Sequence, residues 1–283
     1  MEAATGDEVA RFDPGLIDGF AGSAVLCGNV VFAVALDGKG YVLDAATLKP
    51  SAVFDTGPTR ASPLATSRGA LVADESGTVR LVDEQGKVVW KKQIGRVKCD
   101  PAAAGERALL VTCDAEMLLM DIATGDVVKR RQLKNELMWG PPTVRGSRVF
   151  LANEGGEVVC IDAASLDDAW TQRLDGPVRG RVCASDFRIV ACTANGAIHM
   201  LDAETGAVLS RTLVGGKIDD GACDLPDGGF IVVTKKGNVT RLDPKAQIVW
   251  KFDAGEDVSA PPRLLAGAVI IVTRKGIAIS LAP

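Results

Sequence analysis

Residues 201–207 read LDAETGA, an apolar run ending in Asp and followed by a turn, and the phrase returns about every 40 residues along the chain. It stands as LDAATL at 43–48, LVDEQGK at 81–87, MDIATGD at 120–126, IDAASLD at 161–167 and LDPKAQ at 242–247. Its Asp falls at Asp44, Asp83, Asp121, Asp162, Asp202 and Asp243, at intervals of 38 to 41 residues. One further period reaches Ala282, inside IAISLAP. At the other terminus Ala4-Thr5-Gly6-Asp7-Glu8-Val9 reads like Ala123-Thr124-Gly125-Asp126-Val127-Val128. Six repeats are whole and a seventh is shared between the ends, which predicts a chain closing on itself as a ring.

A period of roughly 40 to 45 residues made of several short strands marks a β-propeller blade, whereas a helical solenoid would need amphipathic helices that this pattern lacks. The sequence therefore predicts an all-β, seven-bladed β-propeller of four-stranded antiparallel blades, closed by an N-terminal strand joining the C-terminal blade. One domain is expected over 1–283, with blades near 16–54, 55–92, 93–131, 132–172, 173–212, 213–252, and 253–283 together with 1–15. In the second copy the strands are expected at 60–65, 70–74, 79–82 and 88–91. The hairpin between second and third strands carries Gly38, Gly77, Gly156, Gly196, Gly237 and Gly276, with Ala115 the exception. A tight turn there calls for positive φ, which Gly supplies without steric cost. The recurrent Asp, followed by small polar residues, suits a turn closed by side-chain-to-backbone hydrogen bonds.

Counting back 22 residues from each repeat Asp, or from Ala282, gives Gly22, Ala61, Cys99, Gly140, Gly180, Gly221 and Ala260, all of them small. Innermost strands converging on a common axis need such a row where they approach one another.

The chain of 283 residues, 47% of them apolar, is long enough for a sizeable core. No apolar run approaches the ~20 residues of a membrane span, and the first residues lack the basic and apolar regions of a signal peptide. The net charge of −4 argues against nucleic acid as the main partner. Lys129-Arg130-Arg131, the one dense basic run, reads as a solvated outer strand. Seven cysteines without framework spacing favour free, buried thiols in a reducing compartment, so a cytoplasmic location is expected, with a periplasmic one if a leader was removed. Two pairs, Cys99 with Cys113 and Cys183 with Cys192, are expected on neighbouring strands, at most one of them directly opposed.

Catalytic constellations are scarce. His199 is the only histidine and sits between apolar neighbours in an expected third strand, which favours a strand-surface or interblade role over a catalytic base. No phosphate loop, dinucleotide fingerprint, Cys-x-x-Cys or calcium loop is present. Neither a metal nor a cofactor is expected. Asn238-Val239-Thr240 fits a glycosylation triplet but falls in an expected strand, where a chance match is the better explanation.

The phrase Gly-x-x-x-x-Leu-Asp-Ala-x-Thr-Gly-x-x-x-x-Trp, clearest from Gly196 to Gly206, in Gly86-Lys87-Val88-Val89-Trp90 and in Ala246-Gln247-Ile248-Val249-Trp250, resembles the repeat of the quinoprotein-type (PQQ-like) propellers. That group also includes the propeller lipoprotein of the bacterial outer-membrane assembly machine. The resemblance covers essentially the whole chain. It implies that Trp90, Trp170 and Trp250 dock between blades, while Ala10, Ala52, Lys129 and Ser210 stand at the same place in the others. Quinoprotein dehydrogenases of the group are typically longer, with eight blades and often an adjacent Cys-Cys pair. This chain has seven repeats and no adjacent cysteines.

One row varies where the scaffold rows do not. Before each small inner-strand residue stand Ala21, Arg60, Lys98, Trp139, Arg179, Asp220 and Ser259, expected at one mouth of a central channel. Two readings are open. Trp139 beside Arg60, Lys98 and Arg179 is a surface anchor for a peptide or anionic group, or it plugs the channel while the cations pair with Asp100, Asp219 and Asp220. The sequence expectation is a non-catalytic adaptor, scaffold or recognition subunit, monomeric within a complex or part of a larger polypeptide. Its protein or peptide partner would sit on the channel face, bordered by the connections 132–138 and 214–219. The alternative is a quinoprotein-type or other enzyme using the channel.

Overall fold

The computed structural model describes residues 9–15, 19–134, 139–258, 260–265, 267–275 and 277–282. Seven antiparallel sheets follow one another along the chain, each a meander of consecutive strands, and the architecture is that of a seven-bladed β-propeller. In the first blade the order is β1 (Val25–Cys27), β2 (Val30–Val34), β3 (Lys39–Asp44) and β4 (Pro50–Asp55). Six sheets are four-stranded; the last, β25 (Arg263–Leu265), β26 (Ala268–Val272) and β27 (Ala278–Leu281), holds three strands among the described residues. The N-terminal strand expected to complete it falls on 1–15, of which 1–8 lie outside the described residues and 9–15 carry no strand. The chain divides into two compact units: 1–136 with the first three blades and 137–283 with the other four. No helix among the described residues is long and apolar enough to cross a membrane.

Burial explains the strand pattern. The second and third strands of a blade are flanked on both faces and read as continuous apolar runs. In β6 (Gly69–Ala73) every residue is buried, and in β7 (Thr78–Val82) all but the first. The fourth strand has one free edge and alternates: β8 (Val88–Gln93) leaves Val88, Val89, Lys91 and Gln93 exposed and turns Trp90 inward. Each four-stranded blade has a register shift between its third and fourth strands, one or two residues before the repeat Asp, as at Leu81/Val82 and Met200/Leu201. Such a bulge adds twist where the outer strand peels away.

The repeat Asp does what its position implies. Asp202 accepts hydrogen bonds from the Glu204 and Thr205 N–H groups at 3.0 and 2.8 Å and from the Thr205 hydroxyl at 2.8 Å, and Asp44, Asp83, Asp121, Asp162 and Asp243 cap their own turns with backbone N–H bonds. The hairpin glycines have φ of +85° at Gly38 and +92° at Gly77, and Ala115 is held in the same left-handed region at +57°. Gly276 lies outside the described residues.

The first strand is shorter than expected. In the second blade β5 covers Leu64–Thr66, not 60–65. Pro63 has no N–H to give a ladder. The Ser62 N–H is taken by the Asp100 carboxylate at 2.7 Å, so this stretch binds the next blade instead of its own sheet. The small row lies here. A Cβ on Gly22 would come within 2.9 Å of the Ala61 backbone, and one on Gly180 within 2.3 Å of the Gly221 nitrogen. One on Gly221 would meet the Arg181 carbonyl oxygen at 2.1 Å. Within each unit, small residues are required because backbone packs directly on backbone.

Tryptophans fasten two junctions. Trp90 Nε1 donates to the Ile122 carbonyl at 3.0 Å, and its ring covers Gly125 so closely that a Cβ there would lie 2.6 Å from it. Trp170 repeats the arrangement with the Ala203 carbonyl at 3.2 Å and Gly206 beneath the ring at 2.5 Å. The Thr-Gly of one blade and the Trp of the preceding one are thus two halves of one contact. Trp250 packs, half-buried, on Val258, Ile271 and their neighbours in the last two blades. Ala52 fills the same place above Gly86 with a methyl group.

Candidate functional site

The residues of the variable row sit where connections enter the first strands. In the first unit, Arg60 is exposed and its Nε pairs with Glu75 at 2.9 Å, and Lys98 is exposed. The Asp100 carboxylate accepts the Ser62 N–H at 2.7 Å.

In the second unit Arg179 is held between two carboxylates, Glu154 at 2.9 Å and Asp219 at 3.1 Å. Asp219 also takes Lys217 at 2.9 Å, with Lys235 at 4.0 Å. Burial works to raise the Asp219 carboxyl, but hydrogen bonds from Lys217 and Arg179 outweigh it and hold it below the usual carboxylate range. Asp220 differs: loss of hydration and the neighbouring Asp219 charge hold its carboxyl above that range, with Arg263 opposing. A cavity of about 190 Å³ opens beside this pair, walled by Asp219, Asp220, Thr234, Lys235, Pro261 and Arg274.

Trp139 is not a surface residue. It is 6% exposed, and its Nε1 is buried without a hydrogen-bond partner among the described residues. The reason is register. In three other blades the residue one place earlier, Val97, Val178 or Val258, bridges to Thr112, Thr193 or Thr273 and is buried; in the fourth blade Trp139 itself bridges to Asn153. The indole therefore takes the inward place that valine takes elsewhere. Met138 and Ser259, which complete this comparison, lie outside the described residues.

His199 is buried in β19 (Ala197–Asp202), where its Nε2 meets Asp175 at 2.9 Å and Asp175 also binds Arg211 at 2.6 Å. This is an interblade brace. All seven cysteines are free. Burial pushes Cys99 and Cys192 up to about 12 and Cys160 to about 11, so these thiols remain protonated. Cys183 is paired in register with Val190, and Cys192 with Ile198, so these two are not directly opposed. Among the described residues no cluster of His, Cys, Asp and Glu is placed to hold a metal ion.

Sequence reasoning missed the Arg80–Asp74 pair. The Arg80 guanidinium, on a third strand, bonds Asp74 at 2.5 Å and the Asp55 carbonyl, with both side chains buried. Its signal was present: Arg80 interrupts an otherwise apolar third strand, Thr78–Val82. It ties the first blade's outer strand to the second.

Comparison with known proteins adds a lineage. The family model described as outer membrane protein assembly factor BamB matches residues 1–136, 119–209 and 194–282. A curated protein of that name from Burkholderia pseudomallei is 33% identical over 90 residues, 31% of this chain and 23% of its own length. One from Marinobacter adhaerens is 22% identical over 169 residues, 58% of this chain and 41% of its own. The matched regions thus span less than half the length of either relative. Among solved structures, the crystal structure of BamB from Moraxella catarrhalis superposes with a TM-score of 0.84 at 17% identity, over 97% of this chain and 86% of that one. The computationally designed Ika8 protein superposes with 0.69 at 14% identity, over 98% of this chain and 100% of that one. At these identities the superpositions speak to the fold.

Proposed function

Because the chain belongs to the family of the outer membrane protein assembly factor BamB, we propose that it is a non-catalytic recognition subunit that holds a protein partner during outer-membrane protein assembly. The observation that carries this reading is the contrast between two adjacent rows. The small residues are fixed by backbone packing, while the residue before each is free to vary and presents Arg60 and Lys98 in the first unit and Arg179 and Asp220 in the second. Exposed side chains of mixed charge on a rigid scaffold suit selective protein contacts more than a shared chemical step. Trp139 is buried and serves packing within its own unit, and the charged residues make the contacts.

The proposal also moves the location. The cytoplasm expected from the cysteines and the first residues gives way to the periplasmic alternative, the side on which an outer-membrane assembly factor works. Protonated, buried thiols are compatible with an oxidising compartment, because the thiolate is the species that reacts. The test is depletion of the chain in its source cells. Assembled outer-membrane protein should fall, and the chain should fractionate with the periplasm and outer membrane. An unchanged outer membrane with the chain in the cytosol would refute the reading.

A further inference from the structure

The cavity between the sixth and seventh blades has a charge pattern found nowhere else in its row. Two residues after the second strand of each blade, one residue donates its N–H to the connection entering the first strand: Leu36, Glu75, Cys113, Ala194, Lys235 and Arg274 do so at 2.7 to 3.1 Å. Glu154 holds the same place in the fourth blade. The acids of this row are matched by arginines, Arg60 to Glu75 and Arg179 to Glu154. Cations occur only in the last two blades, and both line this one cavity.

Of the carboxylates nearby, Asp219, Asp257 and Glu256 are held by cations, whereas Asp220, on the same cavity, is held above the usual carboxylate range by burial and the Asp219 charge. Asp219 is held by Lys217 and Arg179, leaving Lys235 at 4.0 Å as its most distant cation. Asp257 is held by Lys236 at 3.0 Å, and Glu256 by Lys275. Among the described residues the Arg274 side chain makes no hydrogen bond or ion pair, although its charge helps hold the Asp257 carboxyl low, after the larger effect of the Lys236 hydrogen bond. Pro261 and Pro262 line the same cavity and add apolar surface without N–H groups of their own. A volume of about 190 Å³ suits a side chain or a short peptide stretch and falls below the ~300 Å³ where pockets for whole small-molecule ligands begin.

We propose that this cavity receives a carboxylate side chain from an acidic segment of the protein partner, bound by Arg274 and Lys235, with the partner chain lying along Pro261 and Pro262. This rests on the reading that the chain holds a protein partner, and it names the chemistry of one contact. Arg274 presents a planar fork of donors suited to bidentate carboxylate binding, and Lys235 supplies a second charge.

The test uses the intact chain and two blocked peptides, acetyl-Gly-Glu-Gly-amide and acetyl-Gly-Gln-Gly-amide, followed by amide NMR. The Glu peptide should shift the Thr234, Lys235 and Arg274 amides saturably and bind at least about tenfold more tightly than the Gln peptide, because only a charged acceptor gains the charge-assisted bonds. Arg274→Gln should remove that preference while leaving the rest of the spectrum in place, and added salt should weaken it. Equal binding of the two peptides, no saturable shift, or an unchanged preference in Arg274→Gln would overturn the proposal. The two readings fail separately. A Glu preference in cells whose outer membrane is indifferent to depletion of the chain removes the assembly role and keeps the cavity; the converse removes only the cavity.

Discussion

Gly180→Ala is expected to destabilise the protein by more than the ~3 kcal/mol that marks the upper end of ordinary overpacking. The added methyl would stand 2.3 Å from the Gly221 nitrogen and 2.4 Å from the Asp220 carbonyl carbon. Neither is the far end of a flexible side chain, so relief requires the fifth and sixth blades to separate. Gly105→Ala is the control. It has a left-handed φ of +64° but open space around the new methyl, so its cost is the ~1 to 2 kcal/mol of backbone strain, partly offset through the unfolded chain. Thermal unfolding of both variants decides the matter. At roughly 2 to 4 °C per kcal/mol, Gly180→Ala should melt at least about 6 °C lower than the parent, with Gly105→Ala in between. The reverse order would mean that the small row is not set by backbone contact.

Trp170→Ala should cost about 3 to 5 kcal/mol, the range for removing a large packed aromatic. The ring covers Gly206, lies 6.0 Å from the Phe150 ring and donates through Nε1 to the Ala203 carbonyl, so its loss opens the junction between the fourth and fifth blades and orphans that acceptor. Trp170→Phe keeps most of the ring and loses the hydrogen bond, for about 1 kcal/mol. Val249→Ala, on another outer strand and 57% exposed, should stay within about 0.5 kcal/mol. Denaturant midpoints that rank Trp170→Ala with Val249→Ala would remove the indole from the structural account.

The first effect was legible in the sequence because it is periodic, and the second through the family resemblance, since only Trp90, Trp170 and Trp250 occupy the seven equivalent places. A requirement imposed by the fold recurs in every blade, so the Asp turn, the hairpin glycines and the small row each stand out against neighbours that vary. Ala115 shows how far such reading reaches: the position demanded positive φ, and the chain paid the steric cost with alanine at +57°. The candidate site was legible only as a row. The row located Arg60, Lys98, Arg179 and Asp220, but the side on which Trp139 points depends on whether it or the residue before it makes the bridge, and a one-residue change of register reverses a side chain. Counter-ions were no better specified, because Arg60 pairs with Glu75, an acid the row did not single out. Arg274 and Lys235 drew no notice for a related reason: single cations in surface turns look ordinary until the fold sets them around one cavity.

The central claim is that the chain recognises a protein through its charged row. The most direct measurement is native affinity capture from the source cells with mass spectrometry, comparing the intact chain with Arg179→Glu, which would place a fourth carboxylate beside Glu154, Asp219 and Asp220. The account predicts that a component of outer-membrane protein assembly is retained by the intact chain and lost by a variant that melts at nearly the parent temperature. Retention of the same component by both proteins, or an empty capture from a preparation carrying bound quinone, would contradict it.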